Sequence, residues 1–69
     1  VLEVFKTDVQ EMLHADKLVA LLLQRFPGRR INFDLYDCDK ILRIEGESFI
    51  PDEVIRVVKE TGAVCSILE

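Results

Sequence analysis

The chain has no tryptophan, one histidine, one methionine and two cysteines among its 69 residues. A single histidine leaves little material for acid–base catalysis, and neither a Ser-His-Asp context nor a glycine-rich phosphate loop is present. Two cysteines are too few to staple a small domain by disulfides. Two prolines and three glycines make no linker and no low-complexity segment. No apolar run approaches the ~20 residues of a transmembrane helix. Basic residues are outnumbered, 9 Lys and Arg against 13 Asp and Glu, for a net charge of −4. Nucleic acid and anionic membranes require clustered Lys and Arg, so neither is an expected partner. The nearest basic cluster, Arg25, Arg29 and Arg30, reads as favourable charge at a helix C-terminus. No signal peptide is read ahead of the first strand, and a cytoplasmic, reducing location is expected.

What is present is an apolar share of 49%, ample for one core. Residues 1–69 are read as a single domain, which at this size buries only about 60% of its unfolded surface. The most informative stretch is Ile31 to Gly46. Ile31, Phe33 and Leu35 alternate with Asn32, Asp34 and Tyr36; Leu42 and Ile44 alternate with Ile41, Arg43 and Glu45. Between the runs lies a polar turn, Asp37-Cys38-Asp39-Lys40. That pattern predicts an antiparallel hairpin with one buried face.

The remaining elements arrange themselves around the hairpin. Val1 to Thr7 predicts a strand that is apolar on both sides, with Phe5 and Thr7 on one face and Leu2 and Val4 on the other. Met12, Ala15, Val19, Leu22 and Phe26, widened by Leu18 and Leu23, predict a helix within Asp8 to Phe26. Its start falls between Val9 and Met12: Asp8 with Glu11 resembles a capping box, or Asp8 to Glu11 form a loop. Pro27-Gly28 ends it. Pro51, Asp52 and Glu53 suit the first turn of a second helix, with Val54, Ile55 and Val58 inward and Gly62 as its left-handed cap. Ala63 to Leu68 predicts a last strand, with Ala63, Cys65 and Ile67 on one face. The order β-α-β-β-α-β is the split βαβ of ferredoxin-like α+β folds. Right-handed crossovers then require an antiparallel sheet in the spatial order 4-1-3-2, two helices on one face and the other face open. The expected shared core is Phe33, Leu35, Leu42, Ile44, Leu22 and Val58.

The chain resembles the heavy-metal-associated domain of copper chaperones and metal-transporting ATPases. The likeness rests on Phe26-Pro27-Gly28, Ile31-x-Phe33-Asp34-Leu35, Ile44-Glu45-Gly46 and Pro51-x-Glu53-Val54 through Thr61-Gly62. It spans nearly the whole chain. Members of that family hold metal between the first strand and helix on a Met-x-Cys-x-x-Cys motif. Aligned back from Phe26-Pro27-Gly28, the motif's methionine falls on Gln10 and its two cysteines on Met12 and Ala15, with His14 between them. The defining motif is missing. Copper(I) exchange uses two thiolates, and a thioether with a methyl does not replace them. Met12 is expected to fill the core at the start of the helix, and His14 to be exposed.

Other sites follow from the topology. It brings Met12, His14, Cys38 and Cys65 to one end of the domain, where two thiols and an imidazole could hold zinc or copper(I). Cys38 is expected to be accessible and Cys65 to be a buried apolar residue. Asp34, Asp37 and Asp39 do not have the spacing of an EF-hand calcium loop and read as solvated turn residues. Cys38 with His14 could in principle make a nucleophile and base, but nothing in the spacing selects that pairing, so no enzyme activity is expected. The uncovered sheet face is the better functional candidate. Leu2, Val4, Tyr36, Ile41, Val64 and Leu68 alternate out of phase with the core and are expected to form an apolar patch there. A protein partner or a homodimer would use it.

Overall fold

In the computed structural model, which describes residues 1–68, the elements follow the predicted order. They are β1 (Leu2–Thr7), α1 (Met12–Arg25), β2 (Arg30–Asp34), β3 (Ile41–Glu45), α2 (Pro51–Glu60) and β4 (Cys65–Ile67). The four strands form one antiparallel sheet in the order β2-β3-β1-β4, which is 4-1-3-2 seen from the other edge. The fold is the ferredoxin-like α+β arrangement expected of the sequence.

Both helices pack on one face. The core between them and the sheet is Phe5, Leu42 and Ile44 from the strands, Ala15, Leu18 and Leu22 from α1, and Val54, Val57 and Val58 from α2. Val9, Phe26 and Ala63 close its ends. The strand contributors share a face because β1 pairs with β3 in the register Phe5↔Leu42 and Glu3↔Ile44.

The helix starts at Met12, the later of the two expected limits. Glu11 takes the N-cap position with no side-chain hydrogen bond, so the Asp8–Glu11 capping box does not form. Asp8 is used elsewhere: its Oδ1 accepts the Val64 amide at 2.9 Å, tying the loop after β1 to the approach of β4. Met12 therefore begins the helix on its exposed side, at 59% of its accessible area, and is not core filling as expected. Leu23 is also exposed and Val19 only half-buried, so the buried stripe of α1 is narrower than predicted. In α2 the inward position belongs to Val57 rather than Ile55, which packs at the margin.

Three further corrections concern the hairpin. Strand β2 ends at Asp34, because Asp34 Oδ1 accepts the Tyr36 amide at 3.1 Å and turns the chain out of the ladder. A second such turn follows, with the Asp39 amide on Asp37 Oδ1 at 2.9 Å, and Lys40 adopts positive φ (51°). Residues 35–40 are thus a compact connection and not two strand ends about a tight turn. Leu35 is consequently a half-buried member of the core margin, and Phe33, paired with Leu42 on the edge strand β2, is half-buried there as well, so neither is part of its centre. The third correction is Ile41, which is treated with the open face below.

One close approach fixes the far end. Arg29 donates to the carbonyls of Pro27, Glu47 and Ser48 and lies over the Phe26 ring. Gly46 adopts φ 144°, and a Cβ there would stand 2.9 Å from Arg29 Cγ. Glycine at this position lets one arginine clamp both connections.

Candidate functional site

The uncovered face is set by the same registers that set the core. Side chains of Leu2, Val4 and Lys6 on β1 share it with Ile41, Arg43 and Glu45 on β3, with Arg30, Asn32 and Asp34 on β2, and with Ser66 on β4. Val64 and Leu68 flank β4 in the same phase. They hold its ends to β1, with Val64 O accepting the Asp8 amide and the Leu68 amide donating to Val4 O.

Two of the six expected patch residues are placed differently. Ile41 is buried, with 3% of its surface accessible. It stands between Lys6 and Asp34 in register, next to a connection pinned to the end of β1: the Thr7 amide donates to Asp39 O and Thr7 Oγ1 to Lys40 O at 2.7 Å. Tyr36, at 98% exposure, lies in that connection rather than on the sheet. Of the rest, Leu2, Val64 and Leu68 are exposed and Val4 is half-buried between them. Ile67, on the other face of β4, is exposed as well and was not anticipated. The signal for it was available: the last residues of a three-residue edge strand have little helix above them.

The open face is therefore divided. Its β1–β4 half is apolar at Leu2, Val4 and Leu68 and again at Val64, with Lys6 and Ser66 between them. Its β2–β3 half is charged, and Arg43 reaches Asp34 at 3.9 Å and Asn32 Oδ1 at 3.5 Å across the strands.

The residues expected at a relocated metal site are separated by function. His14 Nε2 lies 3.0 Å from Thr61 Oγ1, whose own proton goes to Val58 O at 2.7 Å. The threonine can then only accept, so Nε2 carries the hydrogen. His14 is a strut between the start of α1 and the cap of α2, and lines a groove with Glu11, Leu13, Lys17 and Thr61. It is half-buried rather than exposed as expected. Cys65 sits opposite Thr7 on β4, beside Asp8. Burial, and secondarily the Asp8 carboxylate, push its thiol up from an ordinary 9.0 to about 11, so it stays protonated at neutral pH. Cys38 is exposed, on the far side of Thr7 in the 35–40 connection. Among the described residues, the group of three or more His, Cys, Asp or Glu whose ligating atoms lie within 4.8 Å of one another is Asp37, Cys38 and Asp39, all exposed. It includes neither Cys65 nor His14. At the family's own positions, Met12 faces solvent while Ala15 faces the core at 1% exposure.

No protein-family model, no curated protein and no solved structure matches the chain. Among the described residues no helix is long and apolar enough to cross a membrane.

Proposed function

We propose that this domain is a non-enzymatic protein-interaction module that docks through the β1–β4 half of its open sheet face. One observation carries the reading: Leu2 and Leu68 remain exposed around a half-buried Val4, with Val64 exposed at the other end of β4 beyond the Lys6–Ser66 pair, on a face without a helix among the described residues. Contiguous apolar surface of this kind marks contact sites in small domains more often than scattered residues do. The resemblance to heavy-metal-associated domains fits a scaffold retained for contact while its metal chemistry is lost. A metal-loaded role has weaker support. It rests on one accessible thiol between two carboxyl side chains, without the second cysteine that soft-ion exchange uses.

The reading is tested by Val4→Lys, which places a charge at the centre of the patch. Affinity capture should show partner binding by the native protein that the variant loses, with the fold intact by circular dichroism. A native protein that captures nothing beyond what Val4→Lys captures removes the reading.

A further inference from the structure

The two edges of the sheet are not alike. The β2 edge carries Arg30 and Asp34, the kind of charge that protects an edge from pairing. The β4 edge carries none: Val64-Cys65-Ser66-Ile67-Leu68 is uncharged and free of proline. Its inward backbone groups are accounted for. Val64 O and Leu68 N bond to β1, and the two-residue period assigns Ser66 the same direction. The N–H and C=O groups of Cys65 and Ile67 therefore point out of the sheet.

We propose that this edge pairs with the same edge of a second copy about a two-fold axis through Ser66, giving one continuous sheet across the dimer. The proposal rests on the reading above of contact at the β1–β4 side and adds a second copy of the chain at its outer edge. Three features of the edge are self-complementary. An antiparallel pairing centred on Ser66 sets Cys65 against Ile67 of the second copy, so the residues with free backbone groups meet and each pair exchanges both bonds. The same register sets exposed Val64 against exposed Leu68 on the open face, so apolar surface meets apolar surface on both sides of the axis. The third feature is charge. Arg25 bonds Glu60 at 3.1 Å, and Glu53, Val57 and Glu60 line a groove with Arg25, so that flank of α2 faces α1. Half-buried Ile55 lies on the opposite flank, and exposed Asp52 and Lys59, one turn before and after it, stand on the solvent side of that flank. A two-fold axis runs the two α2 helices antiparallel, which brings Asp52 of each copy toward Lys59 of the other and opposes their dipoles favourably. An unrelated extended peptide would gain the backbone bonds but not this charge match.

Sedimentation equilibrium of the reduced chain should show a reversible dimer. Ser66→Lys puts two ammonium groups face to face on the axis and should raise the dissociation constant about tenfold or more. Ser66 is exposed, so thermal unfolding at high dilution should be unchanged and would report any misfolding separately. Val4→Lys, on the face but off the edge, should leave the dimer intact. The register is read by Ser66→Cys in a chain also carrying Cys38→Ser and Cys65→Ser. A non-bonded pair on the axis has Cα atoms about 4.5 Å apart, within reach of a disulfide, so mild oxidation should give a covalent dimer. A chain that is monomeric at millimolar concentration overturns the proposal, while partner binding lost in Val4→Lys would still sustain the interaction reading. A dimer broken by Val4→Lys and not by Ser66→Lys would also overturn it, in favour of stacked sheet faces.

Discussion

The two faces of this sheet are made by the same four strands in the same registers, and they divide the labour of the molecule. On the helix side, Phe5, Leu42 and Ile44 lose all contact with water under α1 and α2. On the other side, the β1–β4 half exposes Leu2, Leu68 and Val64 with Lys6 and Ser66 among them, while the β2–β3 half carries Arg30, Asp34, Arg43 and Glu45. The difference teaches where selection for folding ends. Apolar residues on the covered face hold the domain together. Apolar residues left on the open face contribute little to stability and are available for contact.

Substitutions that cross this division test it, and the largest effect belongs to the covered face. Phe5→Ala should cost about 3–5 kcal/mol, a large part of the stability of a domain this size. Phe33→Ala, at the half-buried margin of the same core, should cost less, about 1–3 kcal/mol. Urea unfolding of the two variants measures both. Equal losses would show that the hairpin, and not the central strand, anchors the core.

The next effect is on pH dependence. Cys65 lies on the covered side, and its thiol is held neutral up to about pH 11 against an ordinary 9.0. Folding favours the protonated form. Its contribution is therefore complete below about pH 9 and is lost as pH rises toward about 11. Stability of the native protein should fall more steeply over that window than that of Cys65→Ala. Parallel curves would mean that the thiol is not desolvated.

The exposed thiol at Cys38 should behave oppositely. An alkylating reagent at pH 8 should modify exposed Cys38 well before Cys65, whose thiol is half-buried and pushed up to about 11. Any copper(I) or zinc the reduced chain binds should likewise be weak, depend on Cys38, and decline as protons compete for sulfur at lower pH. Cys38→Ser should abolish it, and tight stoichiometric binding by that variant would reveal a site elsewhere. The smallest effect is on stability at the open face: Val4→Lys should shift unfolding by no more than about 0.5 kcal/mol. A larger loss would mean that Val4 helps to hold the fold.

How much of this was legible in the sequence follows from how local each cause is. Strand alternation, Pro27-Gly28, Pro51 and Gly62 act within a few residues, and they led to the element order and the sheet. The errors came from side chains that serve the backbone at a distance. Asp34 and Asp37 read as solvated turn residues, yet each accepts a backbone amide and together they carry Leu35 and Tyr36 off the ladder. Asp8 read as half of a capping box and instead binds Val64, across the length of the chain. That contact leaves α1 to begin at Met12 with its side chain in water. Phe5 was placed on the correct face, but nothing in seven residues of strand reveals that its neighbours on both sides make it the centre of the core. The proposed patch was legible in its phase and not in its extent. Alternation predicted which residues share the face, while burial of Ile41 depended on how the 35–40 connection packs against β1.

The claim that contact is made at the β1–β4 side is tested most directly by amide NMR of the isotopically labelled, reduced chain from high dilution to high concentration. The account predicts concentration-dependent shifts in β4, the adjoining part of β1 and the Asp52–Lys59 side of α2, centred on Cys65, Ser66 and Ile67, with α1 and the 35–40 connection unmoved. Spectra that do not change, or changes that gather at Met12, Leu13, Tyr36 and Cys38 instead, would contradict it.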